Sequence, residues 1–168
     1  MLDADHLLTV AEVGIALAGF SALVAVLGVR SGRTHPRLDS LRLRLMVECS
    51  LFVVAFSLFP LIPSRLGASA DLSWRISAGA FLAMDAIMTA TMLQRMRTVR
   101  ELYSKADRLT SIVCQAFGYA ADIAVVFILL GLVGPLASGL YFVALYLNLV
   151  IAGALFLGFA ASIFVPPE

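Results

Sequence analysis

Five long apolar stretches divide this chain, and charged residues, prolines or glycines separate them. They cover residues 7–29, 45–62, 75–94, 112–133 and 138–164. Each is close to the roughly 20 residues that an α-helix needs to cross the hydrocarbon core of a bilayer. The pattern predicts an all-α fold, a polytopic transmembrane helical bundle that forms a single domain over residues 1–168.

The composition agrees with a membrane protein. Hydrophobic residues make up 61% of the chain and charged residues only 14%, whereas a soluble domain is roughly 45–50% apolar and about 25% charged. Five crossings use almost the whole length, so we expect the lipid bilayer as the main partner. The net charge of +1 argues against a nucleic-acid partner, which requires a clustered basic face.

Basic residues are concentrated in two of the connections, and this distribution predicts the direction of the helices. Cytoplasmic loops carry the excess of Lys and Arg, so we expect the N-terminus outside and the C-terminus in the cytoplasm. A single lysine against eleven arginines indicates a GC-rich bacterial source, and hence the bacterial inner membrane. Ten of the twelve basic residues lie after the first or the third apolar stretch: Arg30, Arg33, Arg37, Arg42 and Arg44, then Arg95, Arg97, Arg100, Lys105 and Arg108.

Both basic connections have a helical pattern. Pro36 predicts the start of the second helix well before the membrane, because proline is favoured in the first helical turn. These stretches could bind a protein partner or anionic lipid, or they could serve only to orient the chain.

Small residues recur every fourth position on two helices, and such spacing lets helix backbones approach closely. The faces could form an oligomer interface or pack within one chain. Because a bundle of five helices has little room for a cavity of its own, we expect a homo-oligomer. The predicted interface residues are Gly14, Ala18 and Ala22 in the first stretch and Ala154, Gly158 and Ser162 in the fifth.

Two aspartates, Asp85 and Asp122, lie near the middle of the third and fourth apolar stretches, and no Lys, Arg or His lies beside them at that depth. A carboxylate at the centre of a bilayer costs on the order of 3 kcal/mol or more, so such residues usually face a protein interior or a water-filled cavity. This pair is the strongest functional lead in the chain.

Further polar residues lie at other depths, between the two aspartates and the two predicted membrane surfaces. Glu12 lies in the outer part of the first helix and Glu48 near the cytoplasmic edge of the second. Gln115 and Tyr119 share a face of the fourth helix with Asp122, since they lie seven and three residues before it, and Asn148 lies in the middle of the fifth. The predicted transport-pathway residues are therefore Asp85, Asp122, Glu12, Glu48, Tyr119, Asn148 and Gln115.

These residues predict a small oligomeric channel or transporter for protons or cations. A proton pathway needs groups that gain and lose protons in the membrane, and a cation pathway needs acidic side chains. The alternative is a structural or accessory subunit that binds a partner through the small-residue faces or the basic helices. In that case the aspartates would only hold helices together by hydrogen bonds.

The sequence does not support other functional classes, such as enzymes, haem proteins or zinc proteins. It has no HExxH, P-loop or dinucleotide-binding motif, and the contexts of the two aspartates do not match an intramembrane protease, so no catalytic residue is assigned. His6 and His35 lie outside the apolar stretches, which excludes bis-histidine haem. Cys49 and Cys114 alone cannot form a structural zinc site and are interpreted as small core residues. We expect no cofactor and no bound metal.

Overall fold

The computed structural model describes residues 4–29, 36–98 and 105–164, and the regular secondary structure of this part is entirely helical. Five of its helical segments are long and apolar enough to cross a membrane, which confirms the predicted all-α fold and five candidate spans. The second candidate span comprises two consecutive helices. The elements are α1 (Ala4–Val29), α2 (Pro36–Leu58), α3 (Leu61–Arg65), α4 (Ala70–Thr98), α5 (Lys105–Leu129), a short 3-10 helix (Gly134–Leu136) and α6 (Ala137–Phe164).

The ends of the helices agree only in part with the predicted boundaries. Helix α2 begins at Pro36, as its position predicted. Helix α5 ends at Leu129, four residues before the predicted end at 133, because Gly131 adopts a positive φ of 72° and closes a Schellman motif. Of the basic connections, Arg30, Arg33 and Arg100 lie outside the described residues, as do the side chains of Arg37 and Lys105.

Helix α6 is the central element of the bundle. Helices α2 and α5 both pack along it, α1 packs mainly against α2, and α4 packs mainly against α5. Helix α4 makes few contacts with α2 and α6. The bundle is therefore tightly packed except between α4 and its neighbours α2 and α6.

One half of the bundle is filled by aromatic side chains, which we call the aromatic core. It consists of Phe52, Phe56, Trp74, Phe81 and Tyr141, all buried. The ring of Phe81 lies edge-on to that of Phe52, with centroids 4.8 Å apart, and Trp74 lies 5.3 Å from Tyr141. These edge-to-face and tilted arrangements are the favourable ones for aromatic pairs, so this half is dry and close-packed.

The aromatic core also provides a hydrogen-bond donor for a backbone carbonyl at the end of α2. The carbonyl of Phe56 would normally accept a bond from the residue four positions later, but that residue is Pro60, which has no N–H group. The hydroxyl of Tyr141 donates to this carbonyl instead, at 2.9 Å. Helix α2 can therefore end inside the bundle without an unpaired carbonyl, which is costly in apolar surroundings.

Replacing Tyr141 with Phe should lower the free energy of unfolding by about 1–3 kcal/mol, because a buried acceptor loses its donor. Unfolding of the purified protein by SDS in mixed micelles measures this change. Tyr146 is 62% exposed, so Tyr146→Phe is the matched control and should leave the free energy unchanged. Equal stabilities of the two variants would contradict this role of Tyr141.

The small-residue face of α1 is used inside the chain at one of its positions. Gly14 is buried against α2, where an added Cβ would lie 2.8 Å from Cγ2 of Val54 and 3.3 Å from the carbonyl oxygen of Ser50. Ala18 is half-buried and Ala22 is exposed. At Gly14 the spacing thus reflects packing of α1 on α2, the second of the two interpretations of this face.

A larger side chain at position 14 should therefore separate α1 from α2. Gly14→Leu is expected to destabilise the protein by about 1–3 kcal/mol through overpacking. Gly19→Leu is the control on the same helix, because an added Cβ there would meet nothing within 4 Å. Thermal unfolding in detergent should show a lower Tm only for Gly14→Leu, and a lower Tm for both would argue against this specific contact.

Candidate functional site

A cavity of about 140 Å³ lies between α2, α4, α5 and α6, and we call it the interhelical cavity. Its walls come from residues 42–49 of α2, 85–96 of α4, 110–122 of α5 and 148–158 of α6. At a rise of about 1.5 Å per residue it extends roughly 15 Å, half the hydrocarbon thickness of a bilayer. It occupies the half of the bundle opposite the aromatic core, where α4 stands away from α2 and α6.

Both midplane aspartates line this cavity. Asp85 is presented by α4 and Asp122 by α5, and both side chains are half-buried. Asp85 accepts a long hydrogen bond of 3.4 Å from the hydroxyl of Thr89, one turn further along α4. The packing of α4 on α5 thus places the two acids in the wall of one space.

Asp122 has an unsatisfied oxygen. Its Oδ1 atom is buried and has no hydrogen-bond partner among the described residues. Leaving a buried acceptor unpaired costs about 1–3 kcal/mol, and more if the group is charged. A proton or a cation at this oxygen would remove the cost, so the carboxylate is suited to bind one.

The other predicted polar residues of α5 and α6 lie around the same space. Gln115, Tyr119 and Asn148 all line the cavity. Tyr119 is 58% exposed and therefore marks its rim, while the amide of Asn148 is buried and donates to the carbonyl of Ala144 at 3.1 Å. Their side chains make the wall beside Asp122 polar.

Glu48 also lines the cavity, so the structure brings together six of the seven predicted pathway residues. Glu12 is the exception, since it is exposed on α1 and no described residue of α1 contributes to the cavity wall. The reason is the packing order, because α1 lies against α2 and α6 and not against α4 or α5.

An ion-pair cluster lies at the end of the cavity that is nearest the helix termini. Glu48 accepts a 2.7 Å bond from Nε of Arg44 on its own helix, and one guanidinium nitrogen of Arg95 lies 3.0 Å from each of its oxygens. Arg95 belongs to α4, so this pair connects α2 to α4 across the opening. The sequence analysis assigned Arg95 either to a surface for a partner or anionic lipid or to the orientation of the chain, and it missed this contact.

The Glu48–Arg95 pair is a weak connection. The two side chains are 29% and 30% exposed, and water screens a pair of this kind so that it contributes about 1 kcal/mol or less. The pair can keep α2 and α4 close together at the opening of the cavity, and it is weak enough to break reversibly.

Cysteines and small residues complete the walls. Cys49 and Cys114 are free thiols, and both line the cavity. Ala154 and Gly158 line it from α6, so these predicted interface residues face a space within the chain, while the side chain of Ser162 lies outside the described part. No three His, Cys, Asp or Glu side chains among the described residues are arranged to hold a metal ion.

Comparison of the chain with protein-family models, with curated proteins and with solved structures finds no match. The chemistry of the interhelical cavity is therefore the basis on which a function can be assigned.

Breaking the ion pair should make the cavity more accessible. In a Cys114→Ala background Cys49 is the only thiol of the chain, and a charged thiol reagent can report access to it. We expect Arg95→Gln to raise its labelling rate up to about fivefold, the factor that corresponds to about 1 kcal/mol. Arg97→Gln changes an exposed arginine on the same helix and should have no effect. Identical rates in both variants would show that the pair does not restrict the opening.

Proposed function

We propose that this protein is a small membrane channel or transporter for protons or cations, with Asp85 and Asp122 as its ion-binding carboxylates. The observation that carries the proposal is their shared position: two acids from neighbouring helices line one cavity near mid-membrane depth, and one oxygen of Asp122 has no partner among the described residues. A structural role would instead be supported by aspartates paired within dry packing.

The size of the cavity favours a small ion. Pockets for drug-sized molecules usually have about 300–1,000 Å³, and this cavity has about 140 Å³. Such a volume has room for several water molecules or a partly hydrated cation. An organic substrate would require a much larger space.

The position of the cavity suggests how the ion would enter. It reaches from one end of the bundle to the middle, and the aromatic core fills the other half. The basic residues Arg42, Arg44 and Arg95 lie at its open end, so the positive-inside rule would place that end in the cytoplasm of a bacterial inner membrane. Conduction would then require a movement within the aromatic core, and Glu48 would act at the inner entrance.

Association of several chains is part of the proposal. Glu12 and Ala22 are exposed on α1, on a helix that would otherwise face lipid. A carboxylate there is costly, and contact with a second copy would shelter it. Glu12 would thus enter the pathway only in a homo-oligomer.

The accessory-subunit hypothesis is less well supported. It depends on the small-residue faces or the basic helices as a surface for another protein, and of the small residues Gly14 packs on α2, while Ala154 and Gly158 line the cavity. These three residues therefore pack against another helix or line the cavity within the same chain. We keep this hypothesis as the alternative outcome of the experiment below.

Reconstitution in liposomes tests the proposal. Proton and alkali-cation flux would be measured under an imposed potential for the wild type, Asp85→Asn and Asp122→Asn. Because asparagine has nearly the same shape, we expect both variants to assemble normally, as judged by gel filtration, and to lose at least tenfold in flux. Asp71→Asn, an exposed position in the first turn of α4, is the matched control and should conduct like the wild type.

Two results would overturn the proposal. Unchanged flux in Asp122→Asn would remove this carboxylate from the mechanism. No flux in the wild type under any gradient would favour the accessory subunit, and copurification would then identify its partner.

A further inference from the structure

The interhelical cavity contains most of the sulfur atoms of the protein. The chain has six methionines and two cysteines, and five of these eight side chains line this one space: Cys49, Met88, Met92, Met96 and Cys114. Proton transport makes no use of them.

The three methionines form a regular series along α4. Met88, Met92 and Met96 are spaced by four residues, so they share one face of the helix and follow each other at about 6 Å along its axis. The series begins one turn after Asp85 and passes Arg95 at the open end. Met84, one turn earlier than Met88, is 47% exposed and is not part of the cavity wall.

The two thiols face this series from other helices. Cys49 belongs to α2 and Cys114 to α5, and both line the cavity. Sulfur-containing side chains from three helices therefore line one space of about 140 Å³.

This set of donors discriminates between cations. Thiolates and thioethers are soft ligands and select Cu(I), whereas Mg²⁺ and Ca²⁺ prefer oxygen donors. A zinc-type site built from His, Cys, Asp and Glu is absent from the described residues. Methionine also fills irregular apolar gaps, and Met92 and Met96 do touch Leu41, Leu45 or Leu155, so an experiment must separate ligation from packing.

We propose that the interhelical cavity is a binding site for Cu(I), with the sulfur atoms of Met88, Met92, Cys49 and Cys114 as its ligands and Met96 at the entrance. This inference rests on the proposed function, because Cu(I) would be a cation that the pathway accepts besides the protons carried by Asp85 and Asp122. The ion enters and leaves as Cu(I), so no electron transfer is involved. Each cysteine that binds it as a thiolate gives up its proton to a cavity carboxylate or to water and takes a proton back when the ion leaves.

Binding can be measured without transport. The full chain in lipid nanodiscs would be titrated anaerobically with Cu(I) against the chelator bicinchoninate, and with Ag(I) as a soft probe that does not change its oxidation state. We expect both ions to bind, and Na⁺ and K⁺ at equal concentration not to compete. The double variant Met88→Leu/Met92→Leu and the double variant Cys49→Ser/Cys114→Ser should each lose at least tenfold in affinity.

Met84→Leu is the matched control, since it makes the same change on the same helix outside the cavity. Leucine conserves the volume of methionine, so folding should be preserved in all the methionine variants. The inference is overturned if the wild type does not bind Cu(I) and Ag(I), or if the cavity variants bind them as tightly as Met84→Leu does.

The two proposals fail in different ways. Proton or alkali-cation flux that depends on Asp122, together with no Cu(I) binding, would overturn the copper site and leave the transport function in place. Sulfur-dependent Cu(I) binding without flux of any ion, Cu(I) included, would support the site and overturn transport.

Discussion

The free-energy cost of a carboxylate in hydrocarbon is the constraint on which this arrangement of helices depends. Asp85 and Asp122 lie near the middle of their apolar stretches, with no Lys, Arg or His beside them in the sequence. The antiparallel packing of α4 on α5 turns both acids to the same interior space. That space exists because α4 stands away from α2 and α6, so the weakest packing in the bundle coincides with its most polar side chains.

The same four helices are close-packed at the other end, and the two halves depend on each other. The aromatic core holds α2, α4 and α6 in place through ring contacts, and Tyr141 satisfies the carbonyl that Pro60 leaves without a donor. A rigid dry half allows the polar half to remain loosely packed without loss of the fold. In the proposed transport cycle, the dry half would also be the barrier that prevents a leak.

The sequence predicted the helices and most of the polar residues that line the cavity, because both follow from local periodicity and depth. The expectation that a single chain has little room for a cavity was wrong, since a space of about 140 Å³ lies between four of its helices. Apolar runs of about 20 residues must cross the bilayer, and Asp122 shares a helical face with Gln115. Periodicity and depth do not determine which helices pack against each other. For that reason the Arg95–Glu48 pair was missed, and Glu12, on a helix packed away from α4, was grouped with acids that it does not approach. The end of α5 was misplaced because Gly131 was overlooked as a C-cap.

The acids and the sulfur atoms have complementary roles in the proposed site. Thioethers are neutral, so the charge of a bound Cu(I), which is unfavourable in a medium of low dielectric constant, would be balanced by the thiolates of Cys49 and Cys114. Asp85 precedes Met88 by three residues on the same helix face, and Asp122 lines the same cavity from α5, so a carboxylate lies beside the sulfur ligands and can take up the proton that a thiol releases. Charge would then determine whether a cation enters the cavity, and sulfur would determine which cation remains.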